Sequence, residues 1–166
     1  TDNEKSFITT VAAFYEAYQN IACYSMKATD SAYFVSVCYD LKFYDIDTPA
    51  PGMDFFYVER DGEGKLYINN VYANYNFSFM EQEYDSEIYK SIRDYEQLSE
   101  VALLQQEVQI RYDEAMKSDE KLADMVSTTL HDAITQWRAG VADNTPSTEP
   151  ADGTEDSTQP EETETA

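Results

Sequence analysis

Few residue types in this chain are suited to chemistry, and their spacing limits what they can do. His131 is the only histidine, within the polar run TTLHDAITQW. A zinc site or a catalytic dyad needs partners at defined spacing, and no second histidine exists, so His131 reads as a helix-surface residue. Cys23 and Cys38 are the only cysteines and form no CxxC motif. If the intervening turn centres on Asp30-Ser31, they stand directly opposite on paired strands, near the separation that a disulfide requires. A one-residue change of register abolishes that pairing and leaves two half-buried thiols. Asp45, Asp47 and Asp54 flank a proline loop, and Asp61 and Glu63 sit in DGEG. Such oxygens suit weak calcium binding, but the spacing lacks the DxDxDG pattern with its distal Glu; they read as solvated loop carboxylates, and no metal site is expected. DGEG also lacks the Lys-Ser/Thr of a phosphate loop. No cofactor is expected.

The elements that must position these residues follow from periodicity. Ser6–Asn20 places Phe7, Val11, Phe14, Tyr15 and Tyr18 at helical spacing. Ile21–Ala28 alternates as a strand. Tyr33–Tyr44 is dense in β-branched and aromatic residues and reads as a long strand. Pro49 and Pro51 must stop or bend the chain. Asp54–Arg60 and Lys65–Asn69 flank DGEG as a hairpin. Val71–Met80 alternates and reads as a short strand. Asp85–Leu98 is helical, with Ile88, Ile92 and Tyr95 on one stripe. Ser99 is the expected cap of a helix reaching Lys117, with Val101, Leu104, Val108 and Tyr112 inward. Ser118-Asp119 precedes a last helix carrying Leu122, Met125, Val126, Leu130, Ile134 and Trp137.

Composition bounds the function. The chain of 166 residues carries 33 acids and 11 bases, a net charge of −22. Nucleic-acid phosphates and anionic lipid repel such a polyanion, so neither is an expected partner. No run of about 18 apolar residues is present to insert into a membrane. The absence of an initiator methionine fits a processed product or excised piece, whose anchor or signal would precede Thr1. From Ala139 to Ala166 there is no Lys, Arg or aromatic residue, and Pro146, Pro150 and Pro160 recur among Ser, Thr, Asp and Glu. Residues 139–166 are therefore an expected disordered acidic tail after a domain spanning 1–138. Eight of the 33 acids lie in that tail, leaving 25 against 11 bases, or −14, for the domain.

The passages YEAYQNIACYSMKA, DLKFYDIDTPAPGMDFFYV and DGEGKLYINN resemble nuclear-transport-factor-2-like domains of uncharacterised, N-terminally anchored proteins from Gram-positive, mainly clostridial, bacteria. SEVALLQQEVQIRYDEAMKSDEKLADMV is similar to that group's C-terminal helical extension. The resemblance covers about Tyr15–Val126. It implies an α+β fold: a curved antiparallel sheet packed against helices as a cystatin-like cone, with C-terminal helices. It also implies an extracytoplasmic, anchored location. Such domains begin with a long and a short helix, whereas only one helix precedes Ile21 here. The group carries no catalytic motif, so the expected role is a non-enzymatic binding or interaction module for a small molecule, a peptide, a protein or a second copy of the chain. Tyr24, Tyr39, Phe55, Tyr57 and Tyr67 are the candidate pocket-lining residues. The alternatives are a structural or dimerisation domain of the cell envelope, and an enzyme like the ketosteroid isomerases that share the cone. In the latter, Asp40 beside Tyr39 would be the acid–base pair. Tyr33, Val35, Val37, Tyr39 and Leu41 form the more apolar strand face, so Asp40 is expected to meet solvent or a neighbour such as Lys42.

Overall fold

A computed structural model describes Thr1–Asp143, with side chains to Val141. The fold is α+β: a four-stranded antiparallel sheet in the order β1-β2-β3-β4, with helices at its start and after its last strand. The strands are β1 (Tyr15–Lys27), β2 (Ala32–Phe43), β3 (Ala50–Arg60) and β4 (Leu66–Ile68). The helices are α1 (Asp2–Ala12), α2 (Asn74–Phe79), α3 (Ser86–Glu96), α4 (Ser99–Ser118), α5 (Glu120–Asp124) and α6 (His131–Asp143). A π-helical stretch, Met125–Leu130, joins the last two.

Thr1 and Glu4 form a reciprocal capping box on α1. The helix ends at Ala12, not at Asn20, because Tyr15–Gln19 pair with β2: Tyr15 stands opposite Phe43 and Tyr18 opposite Leu41. Long-range pairing overrides the helical spacing of those aromatics. Two bulges bend β1, one between Tyr15 and Ala17 and one between Gln19 and Ala22. The second holds Asn20 at φ 50°, a left-handed conformation that Asn tolerates better than most residues.

β3 starts directly at Ala50, and Pro51 sits within it opposite Asp40. β4 pairs only with Val58–Arg60, so Pro51 lies where the outer side of β3 has no strand neighbour and needs no ladder donor. Asp61 closes the hairpin: its Oδ1 accepts from the backbone N–H of Glu63 at 2.9 Å and of Lys65 at 2.8 Å, and Gly64 takes φ 85°.

Val71–Met80 is helical rather than extended. A 3-10 turn, Asn70–Tyr72, leads into α2, and buried Asn76 ties the segment together. Its Nδ2 donates to the carbonyls of Val71 and Gln82, both at 2.8 Å, and its Oδ1 accepts from the Gln82 N–H at 2.8 Å. Leu98, not Ser99, occupies the cap position of α4, and no side chain caps it. Asp119 does cap α5, accepting from Lys121 and Leu122. α6 continues to Asp143, taking in the first residues of the segment expected as tail. The remainder of 139–166 lies outside the described residues.

Two apolar clusters hold the elements together. One joins Ala32, Phe34 and Tyr57 of the sheet to Tyr72, to Ile92 and Tyr95 of α3 and to Val101 of α4. The other joins Leu41, Phe43, Ile46 and Ala50 to Ala115 of α4 and to fully buried Leu122 of α5. Phe7 of α1 meets Trp137 of α6 with ring centroids 5.1 Å apart, and Tyr75 and Phe79 of α2 complete that aromatic group.

Candidate binding groove

Register decides which side chains share a face. Tyr24 stands opposite Ser36, which stands opposite Phe55; Met26, Phe34 and Tyr57 form the next such row, and Ala22, Cys38 and Met53 another. This is the face that α3 and α4 cover. Ala32, Phe34, Ser36, Cys38 and Asp40 are buried, whereas Tyr33, Val35, Val37 and Tyr39 are only half-buried. The covered face of β2 over Ala32–Asp40 is thus the reverse of the expected one. Its polar members are accommodated by distant partners. The Ser36 hydroxyl lies 2.7 Å from Tyr95 Oη. Asp40 accepts from Arg111 at 2.6 Å and from Asn20 at 2.8 Å. Lys42 instead lies near Glu16 and Asp47 and donates to the Ile46 carbonyl.

The cysteines are unbonded. Ala22, not Cys23, stands opposite Cys38, and Cys23 stands opposite Val37. The turn makes Lys27 pair with Tyr33, one residue short of the register that would align the thiols. The shift turns them to opposite faces, Cys23 exposed and Cys38 buried, so no disulfide forms. Burial pushes the Cys38 thiol pKa up, with nearby Arg111 opposing and Glu107 adding to the rise.

The five expected lining residues do not converge. Tyr24, Phe55 and Tyr57 share the helix-covered face. Tyr57 belongs to the core, packed edge-on to Tyr72, while Tyr67 is exposed on β4 and donates to Glu59 at 3.1 Å. Tyr39 lies on the opposite face. Its ring rests on Gly52, where an added Cβ would come within 2.5 Å of it. Its hydroxyl donates to Asp54 at 2.9 Å, and its ring meets Tyr18 edge-on. Burial raises the pKa of Asp54, with the Tyr39 hydrogen bond opposing, and burial also raises that of Tyr39. Burial, with nearby Tyr18 and Asp54, pushes Tyr15 up to about 12. Asp40 and Tyr39 therefore face opposite sides of the sheet.

Two of the clefts in the molecule flank α4. A cavity of about 350 Å³ separates this helix from β1. Ser36 and Tyr95 form its floor, Tyr24 and Met26 one wall, Val101 and Leu104 the other, and exposed Glu100 its mouth. A second cleft, of about 320 Å³, lies between α4 and β3, where Pro51, Met53 and Phe55 face Gln105, Val108 and Tyr112. α4 thus crosses the sheet with a cleft on each flank. The first is the more apolar and falls in the size range of small-ligand sites. The helical stripe of α4 was legible in the sequence. So was Tyr95 on the stripe of α3; the contribution of Ser36 and Met26 was not, because it depends on strand register. Among the described residues, no three His, Cys, Asp or Glu side chains are grouped to hold a metal. Nor is any helix among them long and apolar enough to cross a membrane.

No protein-family model, curated protein or solved structure matches the chain.

Proposed function

We propose that this chain is a nuclear-transport-factor-2-like, cystatin-like cone domain of an anchored extracytoplasmic protein, and that it is a non-enzymatic binding module whose site is the groove between α4 and β1. The observation that carries the reading is the cavity of about 350 Å³ with apolar walls and a hydrogen-bonded Ser36–Tyr95 floor. Its walls offer dispersion contacts and desolvation, and its floor offers hydroxyls for orientation. Neither wall carries a nucleophile–base pair. The sequence motif DLKFYDIDTPAPGMDFFYV supports the family reading, and the four-stranded antiparallel sheet with helices packed on it is compatible with a cone. The alternative of an enzyme acting through Asp40 and Tyr39 is disfavoured by their opposite orientations and by the engagement of Asp40 with Arg111 and Asn20.

Nile red, a neutral apolar dye, tests the groove. Wild-type protein is expected to bind it with enhanced fluorescence. Leu104→Trp, which fills the cavity from a half-buried position, is expected to abolish that signal while retaining the wild-type circular dichroism. Equal dye binding by a folded Leu104→Trp variant would contradict the assignment. A purely structural dimerisation domain would bind no dye, and its mass would depend on concentration.

A further inference from the structure

β1 is an edge of the sheet, and Ala22–Lys27 is its regular, unbulged part. Along an antiparallel edge, every second residue turns its N–H and C=O away from the neighbouring strand, leaving a template for another chain. Natural edges are blunted by bulges, prolines or charges. The bulges of β1 blunt only its first half. Ala22–Lys27 contains no proline, and its one charge, Lys27, is at its end and paired with Asp30. Ile21, Tyr24 and Met26 are 59%, 50% and 38% exposed. The cavity lies directly beside this stretch, since Tyr24, Ser25 and Met26 all line it.

The helix on the other side of the groove supplies charge. Glu100 and Glu107 lie seven residues apart, hence two turns apart along one side of α4, about 10 Å by helical rise. Glu100 lines the cavity, and Glu107 is exposed two turns further along the same side of α4. Neither has an ion-pair partner among the described residues.

We propose that the free edge of β1 over Ala22–Lys27 captures an extended basic peptide as a fifth strand, which seats an apolar side chain in the cavity and sets Lys or Arg side chains against Glu100 and Glu107. This rests on the groove being a binding site. It names the occupant: same-face residues of a strand fall about 7 Å apart, so an apolar residue flanked by two basic ones at alternate positions spans the carboxylates within the reach of their arms. Charge selects such a peptide over a second copy of the chain, because two chains of −22 repel and the one cation of Ala22–Lys27, Lys27, is already paired with Asp30 at 2.7 Å.

The test uses the full chain and three peptides. These are Thr-Lys-Thr-Leu-Thr-Lys-Thr, its counterpart with Glu for Lys, and the lysine peptide with alternate amides N-methylated so that it cannot pair as a strand. Binding is followed by two-dimensional amide NMR. The lysine peptide is expected to shift the amides of Ala22–Lys27 and to bind at least tenfold more tightly than either control. Glu100→Gln with Glu107→Gln is expected to weaken it by about three- to tenfold, the effect of two exposed ion pairs. Equal binding of the N-methylated or the glutamate peptide overturns the proposal, as does loss of β1 signals with rising protein concentration alone, which would identify a second copy as the occupant. If Nile red binds and the lysine peptide does not, only the peptide proposal fails; if Nile red does not bind, the groove reading itself fails.

Discussion

Asp54 shows how one residue can be tolerated without being optimal. Its carboxylate accepts from the Tyr39 hydroxyl, yet burial raises its pKa above the ordinary 3.8. Below pH 3.8 the group is neutral in both states and costs nothing. As pH rises from 3.8 towards the higher folded-state value, the unfolded chain ionises first and stability falls, levelling off once both states are ionised. Asp54→Asn keeps an acceptor for Tyr39 and removes the charge. It is expected to be neutral or stabilising by up to about 1 kcal/mol at pH 7, with no advantage at pH 3. Urea unfolding at the two pH values checks this, and a clear loss at pH 7 would show that the charge is needed. Asp40 contrasts with it, being only 5% exposed but held by Arg111 and Asn20. Tyr39 and Asp40 are neighbours in sequence and attracted an acid–base reading. Their opposition follows from strand pleating, whereas the partners that decide their roles, Asp54 and Arg111, lie 15 and 71 residues away.

At the scale of elements, α4 was legible because its buried residues, Val101, Val108 and Ala115, recur every seven positions. The hairpin at DGEG and the cap at Asp119 were legible from turn and capping chemistry. Three features were not. Tyr15–Gln19 look helical until β2 is present to pair with them. Val71–Met80 alternates, but buried Asn76 organises it as a turn and short helix. The covered face of β2 carries Ser36 and Asp40, which read as outward until Tyr95 and Arg111 arrive. The Arg111–Asp40 contact therefore docks α4 on the sheet beside the groove. Arg111→Ala is expected to destabilise the fold by about 2–3 kcal/mol, because it leaves a buried carboxylate with Asn20 alone. Adding Asp40→Ala is expected to recover part of that loss, since the remaining charge is then gone. Chemical denaturation of the two single variants and the double variant reads the coupling. Strict additivity would mean that the pair does not dock the helix.

The whole molecule combines high negative charge with 14 tyrosines. Burial and neighbouring carboxylates raise several of them above the ordinary 10.0, Tyr15 and Tyr75 to about 12. A tyrosine with a raised folded-state pKa contributes stability that is fully present below pH 10 and is lost as pH rises through its folded value. The fold is therefore expected to lose stability between about pH 10 and pH 12, with the tyrosinate absorbance rising as the protein unfolds rather than before. Tyr39→Phe leaves Asp54 without its donor but removes one titrating group, so it is expected to lower stability at neutral pH and to soften the alkaline loss. A spectrophotometric titration run alongside circular dichroism would show this. Full ionisation at pH 10 with the fold intact would contradict it.

The central claim is that the face between α4 and β1 is the working surface of this molecule. Mapping Nile red onto the folded chain by amide chemical shifts tests it most directly. The account predicts shifts concentrated at Tyr24, Ser25, Met26, Ser36, Val101 and Leu104, absent in Leu104→Trp. Shifts confined to the cleft at Pro51, Met53 and Tyr112, or shifts that persist in Leu104→Trp, would contradict it.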